Sequence, residues 1–348
     1  MYATTRQLLV TTMGTYCSYC EVPLGVSMPV EHKMPKTYFE GYANKFSNLT
    51  LSCTMCNTAK GARPTLKLVN AFYNENKAIL GKYIDQDDPN AAYWCGLLAM
   101  VWPDTTGGKG KDIPDPPKRI LDLFGLPDRI MNLFLYVREK QTAADLAKKG
   151  VLRLHADQKV TDAWARDVQD CVWVYPNETY IADKFKGTYA LQKRRVLRSI
   201  TTMNLNYRNP RSLEASDRRV DSRTATWDVA TDALALLAGA VASVTIGPAD
   251  RGKAPPPPLH AAMKAIRQMA LATGHWSVWM TVFSSILTST AAPWAALDLA
   301  WRKDLIQYLF VCYGRHDDAK PALPGQPNPP TIFLGTDPRR ASIGSRWT

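Results

Sequence analysis

Histidine is scarce, with five among 348 residues, and acidic side chains number 31 against 43 Lys plus Arg. No G-x-x-x-x-G-K-[ST] phosphate loop occurs, which excludes that class of nucleotide hydrolase. Long pure apolar runs are also missing. The two richest stretches are Val229 to Ile246, interrupted by Asp232, and Val278 to Trp301, interrupted by Pro293 and Asp298. A spanning helix needs about 20 predominantly apolar residues, so both are expected as buried core helices and no membrane partner is expected. The first residues lack a basic stretch and an unbroken apolar core, so a short helix carrying Leu8, Leu9 and Met13 is expected rather than a secretory leader. The expected setting is cytoplasmic. Thiols stay reduced there, and paired cysteines are metal ligands rather than disulfides.

What remains is an ordinary globular composition, 46% apolar and 21% charged, long enough for roughly two domains of about 150 residues. The net charge of +12 bears on partners, not on fold, and points to polyanions only where other features agree. Pro/Gly-rich interruptions at 103–117, 247–258 and 321–330 read as loops or linkers. The expected units are 1–80, an α-rich region at 81–246, a helical region at 259–320 and a tail at 321–348. No solenoid-type repeat is present. Ile120, Leu121, Phe124, Met131, Phe134 and Val137 recur at helical intervals, and 191–202, 227–244, 260–273 and 276–287 also read as helices. Cys171 to Tyr175 is short, β-branched and aromatic, which predicts a strand. The expected class is α+β, mostly α.

The chemistry is concentrated between residues 16 and 64. Cys17 and Cys20 form one C-x-x-C pair, and Cys53 and Cys56 form a second. Four reduced thiols in two such knuckles suit a closed, structural tetrahedral Zn²⁺. Between and after them lie Glu31-His32-Lys33-Met34-Pro35-Lys36, then Asn48 before Leu49, Leu51 and Ser52, then Asn57, Lys60 and Gly61. Cys95, Cys171 and Cys312 are isolated and expected to be buried or inert.

The combined order C-x-x-C, E-H-x-x-P-K, N-L-x-L-x-C-x-x-C-N-x-x-K-G resembles the HNH endonucleases, the ββα-metal nucleases framed by zinc knuckles. It is most similar to the HNH subunits of Septu-type and retron-associated anti-phage systems. The resemblance covers about 50 residues and departs from the usual pattern in having Glu31 for Asp and Asn57 for His. It implies a β-hairpin followed by a helix. Val30 would end the first strand, Leu49 and Leu51 would lie on the second, and Cys56 to Lys60 would open the helix. It further implies that His32 is a general base. Glu31 and Asn57 would be oxygen ligands of a catalytic Mg²⁺ or Mn²⁺, and Asn48 would orient the imidazole.

Lys60 is expected near the helix N-terminus, where backbone N–H groups favour a phosphate, with Lys33 and Lys36 flanking the same cleft. The segment 193–223 holds nine basic against three acidic residues, among them Arg194, Arg195 and Arg198. It reads either as a track for a nucleic-acid backbone or as a solvated helix face with local ion pairs. The expected function is hydrolysis of DNA by a defence effector under the control of an ATPase or sensor subunit. The alternatives are an RNA substrate, or a non-catalytic zinc module that binds nucleic acid or protein.

Overall fold

The computed structural model describes residues 5–7, 9–10, 15–26, 28–100, 133–154, 158–208, 217–247, 250 and 255–310. The linkers at 103–117 and 321–330, the apolar positions Ile120 to Met131, Leu8, Met13 and Cys312 lie outside them.

Near the N-terminus, strand β1 (Val30–His32) pairs antiparallel with β2 (Leu49–Leu51), matching Glu31 with Thr50 and His32 with Leu49. Val30 thus begins the paired segment rather than ending it. Successive strand residues face opposite sides. Val30, His32, Leu49 and Leu51 therefore share one face, while Glu31 and Thr50 share the other. Leu49 and Leu51 close over Leu9, with Val30 and Phe46 packed alongside.

Helix α1 (Thr54–Lys60) follows at once, with the Cys53 sulfur accepting from the Cys56 N–H at its N-cap. Gly61 ends it at φ +52°, a conformation that a Cβ would strain. Next come α2 (Leu66–Glu75), capped by Thr65 Oγ1, then α3 (Lys77–Leu80) and α4 (Ala91–Leu98). Buried Tyr93, Trp94, Cys95, Gly96 and Leu98 are spread round α4, so this helix is enclosed. It buttresses the β1–β2 loop at two points. Tyr42 stacks on Tyr93, with ring centroids 3.7 Å apart, and donates to Asn90 Oδ1. The Met34 side chain lies in the space that a Cβ at Gly96 would occupy.

A second antiparallel pair joins β3 (Phe134–Gln141) to β4 (Gln169–Pro176). Phe134 and Val137 therefore belong to a strand, not to the helix their spacing predicts. Positions three apart share a helix face but lie on opposite faces of a strand. The decisive contribution is pairing with β4, a partner distant in sequence, of β-prone residues such as Phe134, Tyr136 and Val137. Between and after these strands lie α5 (Ala143–Lys148), α6 (Glu178–Lys184), α7 (Tyr189–Thr202) and α8 (Arg219–Ala242). Side chains block the outer edge of β4. Thr224 Oγ1 and Asn206 Oδ1 accept from the N–H groups of Val172 and Val174, and Arg223 Nε donates to the Val172 carbonyl. Such cover prevents edge-to-edge association.

The C-terminal helices α9 (Pro257–Thr273), α10 (Trp276–Thr288) and α11 (Leu299–Phe310) gather against the second half of α8 around Leu237, Val241, Ile266, Trp279, Phe283 and Ile306. Helix α8 begins eight residues before the expected start. Its first two turns are polar in sequence, yet Arg219 and Arg223 are buried there. By length and composition α8 could cross a membrane. One stripe of it, Ala230, Ala233, Leu237 and Val241, packs in this core. The architecture is α+β and mostly α. One continuous core runs from Cys17, Cys20 and Cys56 through α2 and α4 to β3, β4 and α7.

Candidate active site and metal centre

The four cysteine sulfurs of the two knuckles lie within 4.8 Å of one another. Cys17, Cys20 and Cys56 are buried, and Cys53 is half-buried. Cys20 Sγ and Cys53 Sγ are 3.7 Å apart. Arms of about 2.3 Å in a tetrahedron give edges of about 3.8 Å, so the spacing fits Zn²⁺. Burial, reinforced by neighbouring sulfurs, holds the Cys20 and Cys56 thiols well above their ordinary pKa. Four thiolates here need a cation to offset their charge.

Backbone contacts place the first knuckle against the hairpin. The Ser18 N–H donates to the Leu51 carbonyl at 2.9 Å, and Thr50 Oγ1 donates to Ser18 Oγ at 2.6 Å. The second knuckle carries a contact that the sequence reading missed. Arg219 Nη1, from the start of α8, donates to Cys56 Sγ at 3.0 Å.

His32 is half-buried, and its Nε2 lies 2.9 Å from the Ala43 carbonyl oxygen in the β1–β2 loop. A carbonyl only accepts, so Nε2 carries the hydrogen and Nδ1 is the basic nitrogen of the neutral ring. Among the described residues, Asn48 makes no direct hydrogen bond to the imidazole. Its amide is fully buried and clamps the loop instead: Oδ1 accepts from Met34 N–H at 2.8 Å, and Nδ2 donates to the carbonyls of Met34 at 3.0 Å and Tyr42 at 3.2 Å. Ala43 follows Tyr42 directly, so Asn48 acts on the imidazole only through the loop. Ala43 left no signal in the sequence, because a backbone carbonyl is independent of side-chain type.

Glu31 faces away from His32, toward α1, and accepts from Lys60 Nζ at 2.7 Å in a buried ion pair. Lys60 is the last residue of α1, not part of its first turn, because the helix starts at Thr54. With 1% exposure, its ammonium does not face solvent. Burial lowers its pKa, and the Glu31 charge opposes that shift. Asn57 lies three residues before Lys60 and so on the same side of α1. Among the described residues, neither its carboxamide nor Glu31 Oε2 has a hydrogen-bond partner. A carboxylate oxygen and a carboxamide on neighbouring elements suit a hard divalent ion that keeps several waters.

The basic candidates separate sharply. Lys36 is exposed on the loop, whereas Lys33 is buried. Arg195 is 1% exposed and donates to Gln192 Oε1 at 2.6 Å and to the Met100 carbonyl at 3.3 Å. Arg198 reaches the Ala99 carbonyl at 3.5 Å and lies over the Phe72 ring, while Arg194 meets Glu75 at 3.9 Å and Asn76. These cations serve the carbonyl end of α4 and the flank of α2, where a helix C-terminus favours positive charge. Arg208 pairs with Asp221, and Arg223 donates to the carbonyls of Val172 and Leu205. Among the described residues of 193–223, Arg195, Arg219 and Arg223 are buried internal braces, whereas Arg194 and Arg218 remain exposed.

Residues 17–63 match the family model described as HNH endonuclease. That stretch runs from the first knuckle through the hairpin to just beyond α1, so an HNH endonuclease domain with a cysteine cluster occupies this part of the chain. No curated protein and no solved structure matches the chain.

Proposed function

We propose that the chain is a metal-dependent endonuclease that hydrolyses phosphodiester bonds in DNA, with His32 as general base. The observation that supports this best is the Nε2–Ala43 bond, which leaves Nδ1 as the basic atom on a hairpin inside the matched residues. Glu31 and Asn57 would hold Mg²⁺ or Mn²⁺, and Cys17, Cys20, Cys53 and Cys56 a structural Zn²⁺. When bound, the divalent ion supplies positive charge against the scissile phosphate and the departing 3′ oxygen. His32 Nδ1 takes the proton of the attacking water. Exposed Lys36 contacts the nucleic-acid backbone.

The test is cleavage of supercoiled plasmid in Mg²⁺ or Mn²⁺, with single-stranded RNA as a parallel substrate. His32→Ala is expected to lose about 10²–10⁴ in rate. Cleavage that survives the substitution removes His32 from the mechanism. Cys53→Ser is expected to lose zinc in elemental analysis, and unchanged zinc content excludes Cys53 as a required ligand.

Two observations favour the second reading, a non-catalytic zinc module. Lys60 already neutralises Glu31, and Glu31 and His32 point to opposite faces of the hairpin. That reading requires nucleic-acid or protein binding with no cleavage in any divalent ion.

In its biological setting, we place this nuclease in the cytoplasm as an anti-phage effector. A nuclease there endangers its own genome, so an ATPase or sensor subunit controls it, and the helices outside 17–63 offer surface for that partner. A phage challenge of cells expressing the chain with its neighbouring genes tests this, and equal protection by His32→Ala sinks it.

A further inference from the structure

Arg219 stands 163 residues from Cys56 in sequence and outside the stretch matched to the HNH family, yet its side chain ends at the sulfur cluster. It is 4% exposed, and each guanidinium nitrogen has a partner. Nη1 donates to Cys56 Sγ at 3.0 Å and to the Met203 carbonyl at 2.7 Å. Nε and Nη2 form a two-pronged pair with Asp217, at 2.7 and 2.6 Å, and Nη2 also reaches the Asn204 carbonyl at 3.3 Å. Such a fork fixes direction as well as charge. Asp217 therefore aims the remaining prong at sulfur. Arg223, one turn further along α8 and also buried, donates to carbonyls instead.

The electrostatics supply the reason for this contact. Four thiolates around Zn²⁺ leave two surplus negative charges, and three of the four cysteines are buried. Uncompensated charge in such surroundings is costly. A guanidinium N–H on one sulfur offsets part of that charge and orients the ligand. Lysine would bring the charge without the fork.

We propose that Arg219 is an outer-sphere residue of the Cys17, Cys20, Cys53 and Cys56 metal site, making metal binding and the seating of α8 on the nuclease unit a single coupled equilibrium. The proposal rests on the zinc reading of the four cysteines. The first knuckle is anchored in a similar way from the other side. Tyr16 OH donates to the Leu271 carbonyl at 2.9 Å, and the Glu21 carboxylate accepts from Ser277 N–H and Oγ at 2.9 and 2.7 Å. The metal site thus lies where the N-terminal unit, α8 and the α9–α10 corner meet. Linkage requires the effect to run both ways.

The test uses the full chain. Zinc affinity is measured by competition with a chromogenic chelator, and Co²⁺ substitution reports thiolate coordination through its sulfur-to-metal absorption bands. Arg219→Met is expected to weaken zinc about 10–100-fold, with partial recovery in Arg219→Lys. Removing zinc from the wild type is expected to raise hydrogen exchange over residues 199–206 and 219–226. Wild-type zinc affinity in a folded Arg219→Met protein overturns the proposal, as does unchanged exchange over 219–226 on zinc removal. Should Arg219→Met fail to fold, Asp217→Asn decides, because it leaves Arg219 present and loosens its aim. Weaker zinc binding in Asp217→Asn supports the coupling, and unchanged binding overturns it. A wild type with neither zinc nor Co²⁺ bands overturns the zinc reading itself, a result separable from all the others.

Discussion

Nε2 of His32 and the carbonyl oxygen of Ala43, eleven residues apart, lie 2.9 Å from each other and fix which imidazole nitrogen carries the hydrogen. Long-range ¹⁵N–¹H correlation spectra of the neutral ring are expected to show the Nε2–H tautomer, with Nδ1 unprotonated. A dominant Nδ1–H form would contradict the bond.

Asn48→Ala removes three hydrogen bonds at once and leaves Met34 N–H, Met34 C=O and Tyr42 C=O without that partner. Buried groups left unpaired cost about 1–3 kcal/mol each, so a loss of at least about 2 kcal/mol is expected in urea unfolding. Asn48→Asp should be no better, because an ionised carboxylate cannot donate to two carbonyls. A loss below 0.5 kcal/mol would show that the loop holds without the clamp.

The Lys60–Glu31 pair sets up an asymmetric experiment. Removing one partner of a buried ion pair typically costs about 3–5 kcal/mol, because the survivor is left charged and dry. Lys60→Met should show that loss, and Lys60→Met combined with Glu31→Gln should recover part of it. Equal stability of the single and double variants would mean that a lone Glu31 carboxylate carries no penalty at that position.

Arg195 and Lys36 make opposite predictions for nucleic-acid binding. Arg195→Ala should lower the melting temperature while leaving the salt dependence of DNA affinity unchanged, since the guanidinium is spent on Gln192 and Met100. Lys36→Ala should leave folding intact and reduce the slope of log affinity against log salt by about one contact. A reversed outcome would favour the reading of 193–223 as a binding track.

Cys95 provides a test with a defined sign. Burial pushes its thiol up to about 12, against about 8.5 for an unfolded chain. The folded state therefore holds this proton more tightly. The stability contributed is complete below about pH 8.5 and is lost as the pH rises toward 12. Denaturant midpoints should fall across that range, and Cys95→Ala should flatten the fall. Cys95 should also resist alkylation in the folded protein at neutral pH. Rapid labelling would place the thiol at the surface.

The gathering of Cys17, Cys20, Cys53 and Cys56 was legible because their spacing falls within a single compact unit, where sequence order maps onto geometry. The roles of Asn48 and Lys60 were less legible. Whether an amide holds a ring or the loop around it depends on where Ala43 and Tyr42 turn. Whether a lysine begins or ends a helix depends on where that helix is capped. The basic run at 193–223 was illegible for another reason. An arginine facing water and one bonded to a buried carbonyl look alike in composition, and only the positions of Met100, Val172 and Cys56 distinguish them. Phe134 and Val137 were misread because their strand partner is remote in sequence.

The side of Gly96 that Met34 fills has its own consequence. A methyl group there would meet the end of the Met34 side chain, a flexible thioether that must turn aside, with Val69 close by. The room at Gly96 is thus set by how far that thioether can turn, and a substitution series there, from Ala to Val, should read out how much slack the packing beneath the loop retains.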